Sequence, residues 1–220
     1  GAASPAVVPQ LKASDLEELN ASPRMVEILD DAPAALSLTD AIVCERLPFE
    51  SGSRESLLAS IAAGVRVFHL VADYHGRGDD RFVRDLAMET HALLVEKGLR
   101  DMVTLIGSGG IAAAEHVPKA IICGFDAVAL DTPVLAALQA QPEGSVTDAA
   151  TARFRLPASL NVEWGVQRLK NLSAAWRDQL LEILGAMGLR EVRRLRGELG
   201  RAMFQRDLEQ EAFGGIDGYE

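Results

Sequence analysis

Residues 102–133 read MVTLIGSGGIAAAEHVPKAIICGFDAVALDTP. A short apolar run at 103–106 stops at Gly107-Ser108-Gly109-Gly110, an alanine-rich stretch of helical period follows, and a second apolar run occupies 126–130. That order is strand, glycine turn, helix, strand, which is the repeating unit of a parallel α/β fold. Glycine lets a backbone approach a ligand closely, and the N–H groups that open a helix carry partial positive charge suited to a phosphate. Two readings of the turn are open at this level: a cradle for a phosphate-bearing cofactor, and a tight structural turn.

The pattern extends upstream. Residues 41–47 and 65–72 are further strand runs, and between them lies a helical stretch that Ser53 caps and Gly64 closes. Residues 81–97 place Val83, Leu86, Ala87, Thr90 and Leu94 on one helical face before Gly98 stops them. Four strand runs therefore alternate with helices between residues 41 and 138, and each ends in polar or glycine-rich residues at the sheet edge where parallel α/β folds bind ligands. Ahead of them, residues 1–13 read as an extended arm and Ser14-Asp15-Leu16-Glu17 as a capping box opening a short helix. Ser22-Pro23 predicts a second helix carrying Met25, Val26, Ile28 and Leu29, and residues 30–39 read as a loop.

After Leu138, residues 139–157 form one long loop rich in Gly, Pro, Ser, Asp and Gln. The remainder is helical, with one stripe at Trp176, Leu180, Ile183, Leu184 and Met187 ended by Gly188. A second stripe at Val192, Leu195, Leu199 and Ala202 sits on a helix bearing Arg190, Arg193, Arg194, Arg196 and Arg201, read as a solvated face or a contact with an acidic partner. Residues 213–220 read as a loose tail. The expected organisation is an arm and short helices at 1–40, a βα core at 41–138, a loop or insertion at 139–169, and C-terminal helices with a tail at 170–220.

The bulk numbers narrow the partners. A net charge of −10 over 220 residues disfavours a nonspecific grip on nucleic acid or on an anionic membrane surface, leaving a small molecule or another protein. No run of about 18 apolar residues is present to span a bilayer, and the N-terminus lacks a basic-then-apolar signal pattern. Cys44 and Cys123 each sit in an apolar run as small buried hydrophobes, so a reducing cytoplasm is the expected compartment. Gly1-Ala2-Ala3-Ser4-Pro5 has no initiator Met and reads as the start of an excised piece of a longer protein.

Several residues are candidates for chemistry. Residues 107–112 satisfy G-x-G-x-x-A with Asp131 after the next strand, a dinucleotide fingerprint, although that motif normally opens its domain and here two βα units precede it. Asp73, His75 and Arg77 lie in a polar loop at a strand end, where His75 could move a proton and Arg77 could hold a carboxylate or phosphate; a plain chain reversal is the competing reading. Arg46 ends a strand, free to neutralise a phosphate or a reduced flavin ring, or to pair with Glu45 or Glu50. His69, inside an apolar run, reads as a satisfied core or barrel histidine. His91 and His116 have no partner at ligand spacing, so no metal is expected, and Trp164 and Trp176 read as core or interface residues. Ser108 lacks the G-x-S-x-G setting, which argues against a nucleophilic serine.

Met88-Glu89-Thr90-His91, then Gly98-Leu99-Arg100-Asp101, then residues 103–110 resemble the FMN-binding domain of the glutamate synthase large subunit and its shorter relatives. Residues 124–138 look like the last strand of that (β/α)8 barrel with the helix after it, and residues 173–195 are similar to its trailing helices. The resemblance implies the C-terminal half of a TIM barrel and an FMN cofactor. It implies that Ser108, Gly109 and Gly110 receive the FMN phosphate, that Asp131 and Thr132 complete that site, and that Arg46 stands where the family has a lysine near the flavin. Residues 73–78 fall where the family has a glycine-rich stretch, but carry Tyr74, His75 and Arg77 instead.

Residues 139–161 contain no Cys, so no iron–sulfur cluster is expected in this chain, and no N-terminal cysteine serves a glutamine amidotransferase. Four strands against eight imply completion by another chain, by a missing N-terminal half, or by a homo-oligomer. Three functional readings follow: an FMN-binding oxidoreductase domain acting on a small molecule or with a redox partner protein, a non-catalytic scaffold that keeps the fold, and an NAD-binding α/β domain.

Overall fold

In the computed structural model, which describes residues 8–19, 22–144, 146 and 151–199, the chain begins with β1 (Gln10–Leu11), β2 (Met25–Ile28) and α1 (Ala32–Ala35). β3 (Ile42–Pro48), α2 (Ser53–Ala62) and β4 (Val67–Val71) follow. A small antiparallel hairpin, β5 (Arg77–Gly78) and β6 (Arg81–Phe82), precedes α3 (Val83–Glu96). Then come β7 (Thr104–Ser108), α4 (His116–Ile122), β8 (Ala127–Val128) and α5 (Thr132–Ala137). A second hairpin, β9 (Gln141–Pro142) with β10 (Phe154–Arg155), and the long α6 (Val162–Ala186) end the described elements.

The main sheet has six strands in the order β1-β2-β3-β4-β7-β8, all parallel. Each new strand adds to the same edge, so the sheet winds in one direction as a barrel does, without the reversal of order that defines a dinucleotide-binding sheet. Strand side chains alternate between faces. Val26, Ile28, Val43, Phe68, Leu70 and Leu105 take one face and form a single core with Leu57 and Ile61 of α2 and Leu86 and Leu94 of α3. Burying each such side chain contributes roughly 1.5–3 kcal/mol. The register places Glu27, Cys44, Arg46, His69, Ile106 and Ser108 on the opposite face.

The α/β reading with parallel βα units and trailing helices is what the chain forms, with two differences in count and type. Residues 25–28, read as helix from Ser22-Pro23, are strand β2: burial alternates along Met25, Val26, Glu27 and Ile28, and pairing with β3 decides between two periods that a four-residue apolar run satisfies equally. The arm before residue 13 contributes β1, so six strands replace four.

Smaller corrections are local. Ala13–Glu18 is a 3-10 turn without the expected capping box, because Ser14 Oγ bonds Asp15 instead of a backbone N–H. The loop at 30–39 contains α1, capped by Asp31, whose Oδ1 accepts from Ala34 N at 3.0 Å. Ser53 lies inside α2 and bonds Pro48 O, so it caps nothing. Residues 81–82 belong to the hairpin ahead of α3, and residues 139–157 include a hairpin whose Phe154 meets Tyr74 edge-on at 5.9 Å.

The stripe at Val192–Leu195 is a 3-10 turn, and Arg201, Ala202 and the expected tail lie outside the described residues. Arg196 is no solvated arginine. Its guanidinium meets Asp126 at 2.7 Å and Asp101 at 2.5 Å, while the buried Arg100 takes the other oxygen of Asp126 at 2.7 Å. Both cysteines are free and buried as expected, and burial pushes their thiols up to about 12 for Cys44 and about 11 for Cys123. No helix among the described residues is long and apolar enough to cross a membrane.

Candidate functional site

The carboxyl edge of the sheet collects the residues singled out from the sequence. β7 ends at Ser108, and Gly109 and Gly110 follow with φ of +99° and +70°, a backbone region that side chains with a Cβ avoid. Their N–H groups donate to no described residue. The chain itself presses on both glycines: a Cβ at Gly109 would lie 2.6 Å from the carbonyl oxygens of Ala72 and Asp73, and one at Gly110 would lie 2.6 Å from Gly76 Cα. The turn does not run straight into a helix, since residues 111–115 intervene before α4 opens at His116. A cavity of about 300 Å³ borders it on the helix side, walled by Phe82, Val83, Ile111 and Phe125 with His116 and Lys119.

The loop after β4 packs against this turn, yet its geometry is that of a chain reversal. Asp73 Oδ1 accepts from the N–H groups of His75 at 2.9 Å and Arg77 at 2.7 Å, and Arg77 Nη1 donates to Asp80 O at 2.9 Å. His75 and Arg77 remain exposed at the edge. Beyond β8, Asp131 caps α5: its Oδ1 accepts from Thr132 N at 2.5 Å and from Thr132 Oγ1 at 3.2 Å. That backbone donor is already engaged, whereas those of Gly109 and Gly110 are free within the described residues.

On the sheet face away from the core, a polar network crosses four adjacent strands. Arg46 Nη1 of β3 lies 3.8 Å from Glu27 Oε2 of β2, in place of the expected pairing with Glu45 or Glu50. Glu27 Oε1 bonds His69 Nδ1 of β4, and His69 Nε2 meets Ser108 Oγ of β7 at 2.8 Å. His69 is thus the satisfied barrel-type histidine that its apolar setting suggested. Burial pushes the Glu27 carboxyl up, but hydrogen bonds from His69 and Gln10 and the charges of His69 and Arg46 outweigh it and hold the group below its ordinary value. Glu45 points the other way, beneath α2, where burial raises its carboxyl pKa against a hydrogen bond from Ser60, and its Oε2 is unpartnered. Sequence reasoning missed Glu27 because residues 25–28 had been read as helix, and only the period-2 alternation of that run could have placed it.

His91 and His116 hold structural bonds, His91 Nδ1 with Arg100 Nε at 3.2 Å and His116 Nδ1 with Ala112 N at 3.2 Å. Among the described residues no cluster of three or more metal-ligating side chains exists.

Comparison with known proteins fits this architecture. Residues 85–190 match the family described as the conserved region in glutamate synthase. The chain carries a glutamate synthase-like domain. The archaeal glutamate synthase [NADPH] of Methanocaldococcus jannaschii is 38% identical over 114 residues, 49% of this chain and 22% of its own length. That of Archaeoglobus fulgidus is 34% identical over 129 residues, 55% of this chain and 25% of its own. This glutamate synthase-like chain therefore spans about a quarter or less of these curated relatives. Among solved structures, the recombinant flavin-binding domain of baker's yeast flavocytochrome b2 superposes with a TM-score of 0.55 at 18% identity, covering 86% of this chain and 44% of that one. A mutant flavocytochrome b2 with pyruvate bound gives 0.57 at 16% identity, covering 96% and 60%. These two likenesses concern the fold.

Proposed function

We propose that this glutamate synthase-like domain binds FMN and works as an oxidoreductase module of a larger redox assembly. The observation that carries the reading is the turn after β7. Two adjacent glycines with positive φ leave their N–H groups unclaimed among the described residues, at the carboxyl edge of a sheet wound in one direction. Ser108, Gly109 and Gly110 would receive the phosphate there. Asp131 and Thr132 stand as the second wall, and the Thr132 N–H reaches a phosphate only by leaving Asp131. Arg46, half-buried on the inner face, supplies positive charge beside the ring. When bound, FMN supplies the electron transfer; this chain's residues hold its phosphate and balance its charge. Asp73, His75 and Arg77 would meet the substrate, with Asp73 fixing the loop through its two backbone bonds.

The remaining partners are read in the same way. A redox protein, or further chain that extends the sheet, completes the assembly, and no iron–sulfur cluster is expected on a chain with two cysteines, both buried. A reducing cytoplasm is the compartment this reading adopts, which the two free thiols support.

Titrating FMN with the purified chain tests the proposal. Quenching of flavin fluorescence with a dissociation constant in the micromolar range is expected, weakened about tenfold by Arg46→Ala, which removes one nearby charge worth roughly 1–2 kcal/mol. No binding at micromolar concentrations sinks the reading. One observation favours the non-catalytic scaffold as the second reading: the backbone of residues 72–76 already requires both glycines, so the turn needs no ligand to explain its sequence. A folded chain that ignores FMN would be that scaffold.

A further inference from the structure

Ser108, which the flavin reading places at the phosphate, is also the end of a linear hydrogen-bonded series with His69 and Glu27, two groups that reading does not use. We propose that Ser108 is an activated nucleophile, with His69 its general base and Glu27 the carboxylate that orients the base, giving this chain an acyl-transfer activity toward small esters. Ser108 Oγ lies 2.8 Å from His69 Nε2, and His69 Nδ1 is bonded to Glu27 Oε1. The missing G-x-S-x-G motif argued against this role from sequence, but such a series is recognised by geometry and by the role of each group, and the three-residue alignment is what the sequence could not show.

Each part suits its role. Glu27 Oε1 sits against Nδ1, which favours the neutral-ring proton on that nitrogen and leaves the Nε2 lone pair facing the serine hydroxyl. The three side chains stand on β2, β4 and β7, joined through β3 in one hydrogen-bonded sheet, a more rigid mounting than loops give. The next two N–H groups along the chain, those of Gly109 and Gly110, donate to no described residue and are available to an oxyanion. On this face Arg46 is the other charged group at the network, 3.8 Å from Glu27, and Gln10 also bonds that carboxylate. At the network itself Ser108 is 8% exposed and the His69 and Glu27 side chains 12% and 13%, so an ester would reach Oγ only at the carboxyl edge where β7 ends. Arg46 is two strands from Ser108, roughly 10 Å away, which favours an ester carrying an anionic group at its far end.

In the reaction, the Oγ–H proton passes to His69 Nε2 as Oγ bonds to the ester carbonyl carbon. The ester C–O bond then breaks, and the departing alkoxide takes the proton from Nε2. Water, deprotonated by the same nitrogen, releases the acid and restores Ser108. No oxidant or reductant enters.

The test uses a fluorophosphonate probe on the full chain, read by intact mass and peptide mapping, alongside hydrolysis of p-nitrophenyl acetate. A single adduct on Ser108 is expected, slowed at least 100-fold in His69→Ala and at least tenfold in Glu27→Gln, with Ser37→Ala, an exposed serine far along the chain, unchanged. The proposal is overturned by absence of an adduct on Ser108 in folded wild-type chain, or by labelling that His69→Ala leaves equally fast. Because labelling is read on the wild-type chain, poor folding of a variant does not rescue it. Running the FMN titration in parallel separates the two ideas: FMN binding without labelling removes the nucleophile alone, and labelling without FMN binding removes the flavin alone.

Discussion

Gly109 is the residue at which backbone conformation and packing make the same demand. Its φ of +99° disfavours any side chain, and a Cβ there would meet two carbonyl oxygens at 2.6 Å. Gly144 supplies a control, with φ of +82° and nothing within 4 Å of the added atom. Gly109→Ala is expected to lower unfolding free energy by about 3 kcal/mol, the strain of the backbone region plus the displacement of the 72–73 backbone, while Gly144→Ala costs about 1 kcal/mol from strain alone. Urea unfolding of the two variants checks this; equal losses would mean the 72–73 backbone yields freely. The same scale explains an error of reading. Glu45 and Arg46 are chain neighbours, and neighbours on a strand face opposite ways, so their pairing was excluded once residues 42–48 became β3. Arg46 instead finds Glu27 across the strand pair, a partner 19 residues away that no local pattern names.

Among elements, those with long periodic patterns were legible and those fixed by distant contacts were not. The run at 83–96 declared α3 by its own apolar stripe and Gly98. β2 did not declare itself, because Val26 and Ile28 acquire their alternate burial only once β3 lies beside them. In the segment at 192–197, Arg193 and Arg194 are exposed as a solvated face would have them, and Arg196 departs for a related reason: the fold brings Asp126, at the start of β8, within 2.7 Å of it. Asp126 also accepts from Leu105 N at 2.8 Å and from Arg100, so one carboxylate joins β7, β8 and the C-terminal turn. Burial pushes its pKa up, yet those three hydrogen bonds outweigh it and the group sits below its ordinary value of 3.8. An acid depressed in the folded state contributes stability above its unfolded pKa and loses it as pH falls through the folded value. Stability from Asp126 is therefore complete at neutral pH and declines only below about pH 4. Asp126→Asn leaves the buried Arg100 without its counterion and Arg196 with Asp101 alone, and is expected to cost about 3–5 kcal/mol near pH 7, with the gap from wild type narrowing in acid. Guanidinium unfolding at pH 7 and pH 3 reads both; a gap independent of pH would assign the loss to hydrogen-bond geometry, not charge.

For the whole molecule, the direction of winding decides between cofactors that share a glycine turn. A dinucleotide sheet reverses its strand order and binds at the reversal, whereas here β1 to β8 run in one direction with both terminal strands only two residues long. The G-x-G-x-x-A match at 107–112 could not reveal this, because the spacing is local and the order of strands is not. A sheet without a reversal offers no crevice for a second nucleotide, so the chain should distinguish a mononucleotide from a dinucleotide. A ligand that binds only the folded state stabilises it by about 2.7 kcal/mol at 100 times its dissociation constant. For a chain of 220 residues that corresponds to a rise in Tm of roughly 5–10 °C. FMN at saturating concentration is expected to produce that rise in differential scanning calorimetry, and NAD at the same concentration less than about 1 °C. Because linkage counts only differential binding to the folded chain, the comparison holds even if both nucleotides touch the unfolded state weakly and alike. A larger shift with NAD would place the phosphate of a dinucleotide at Gly109 and Gly110 and would mean that the direction of winding does not restrict what this edge can hold.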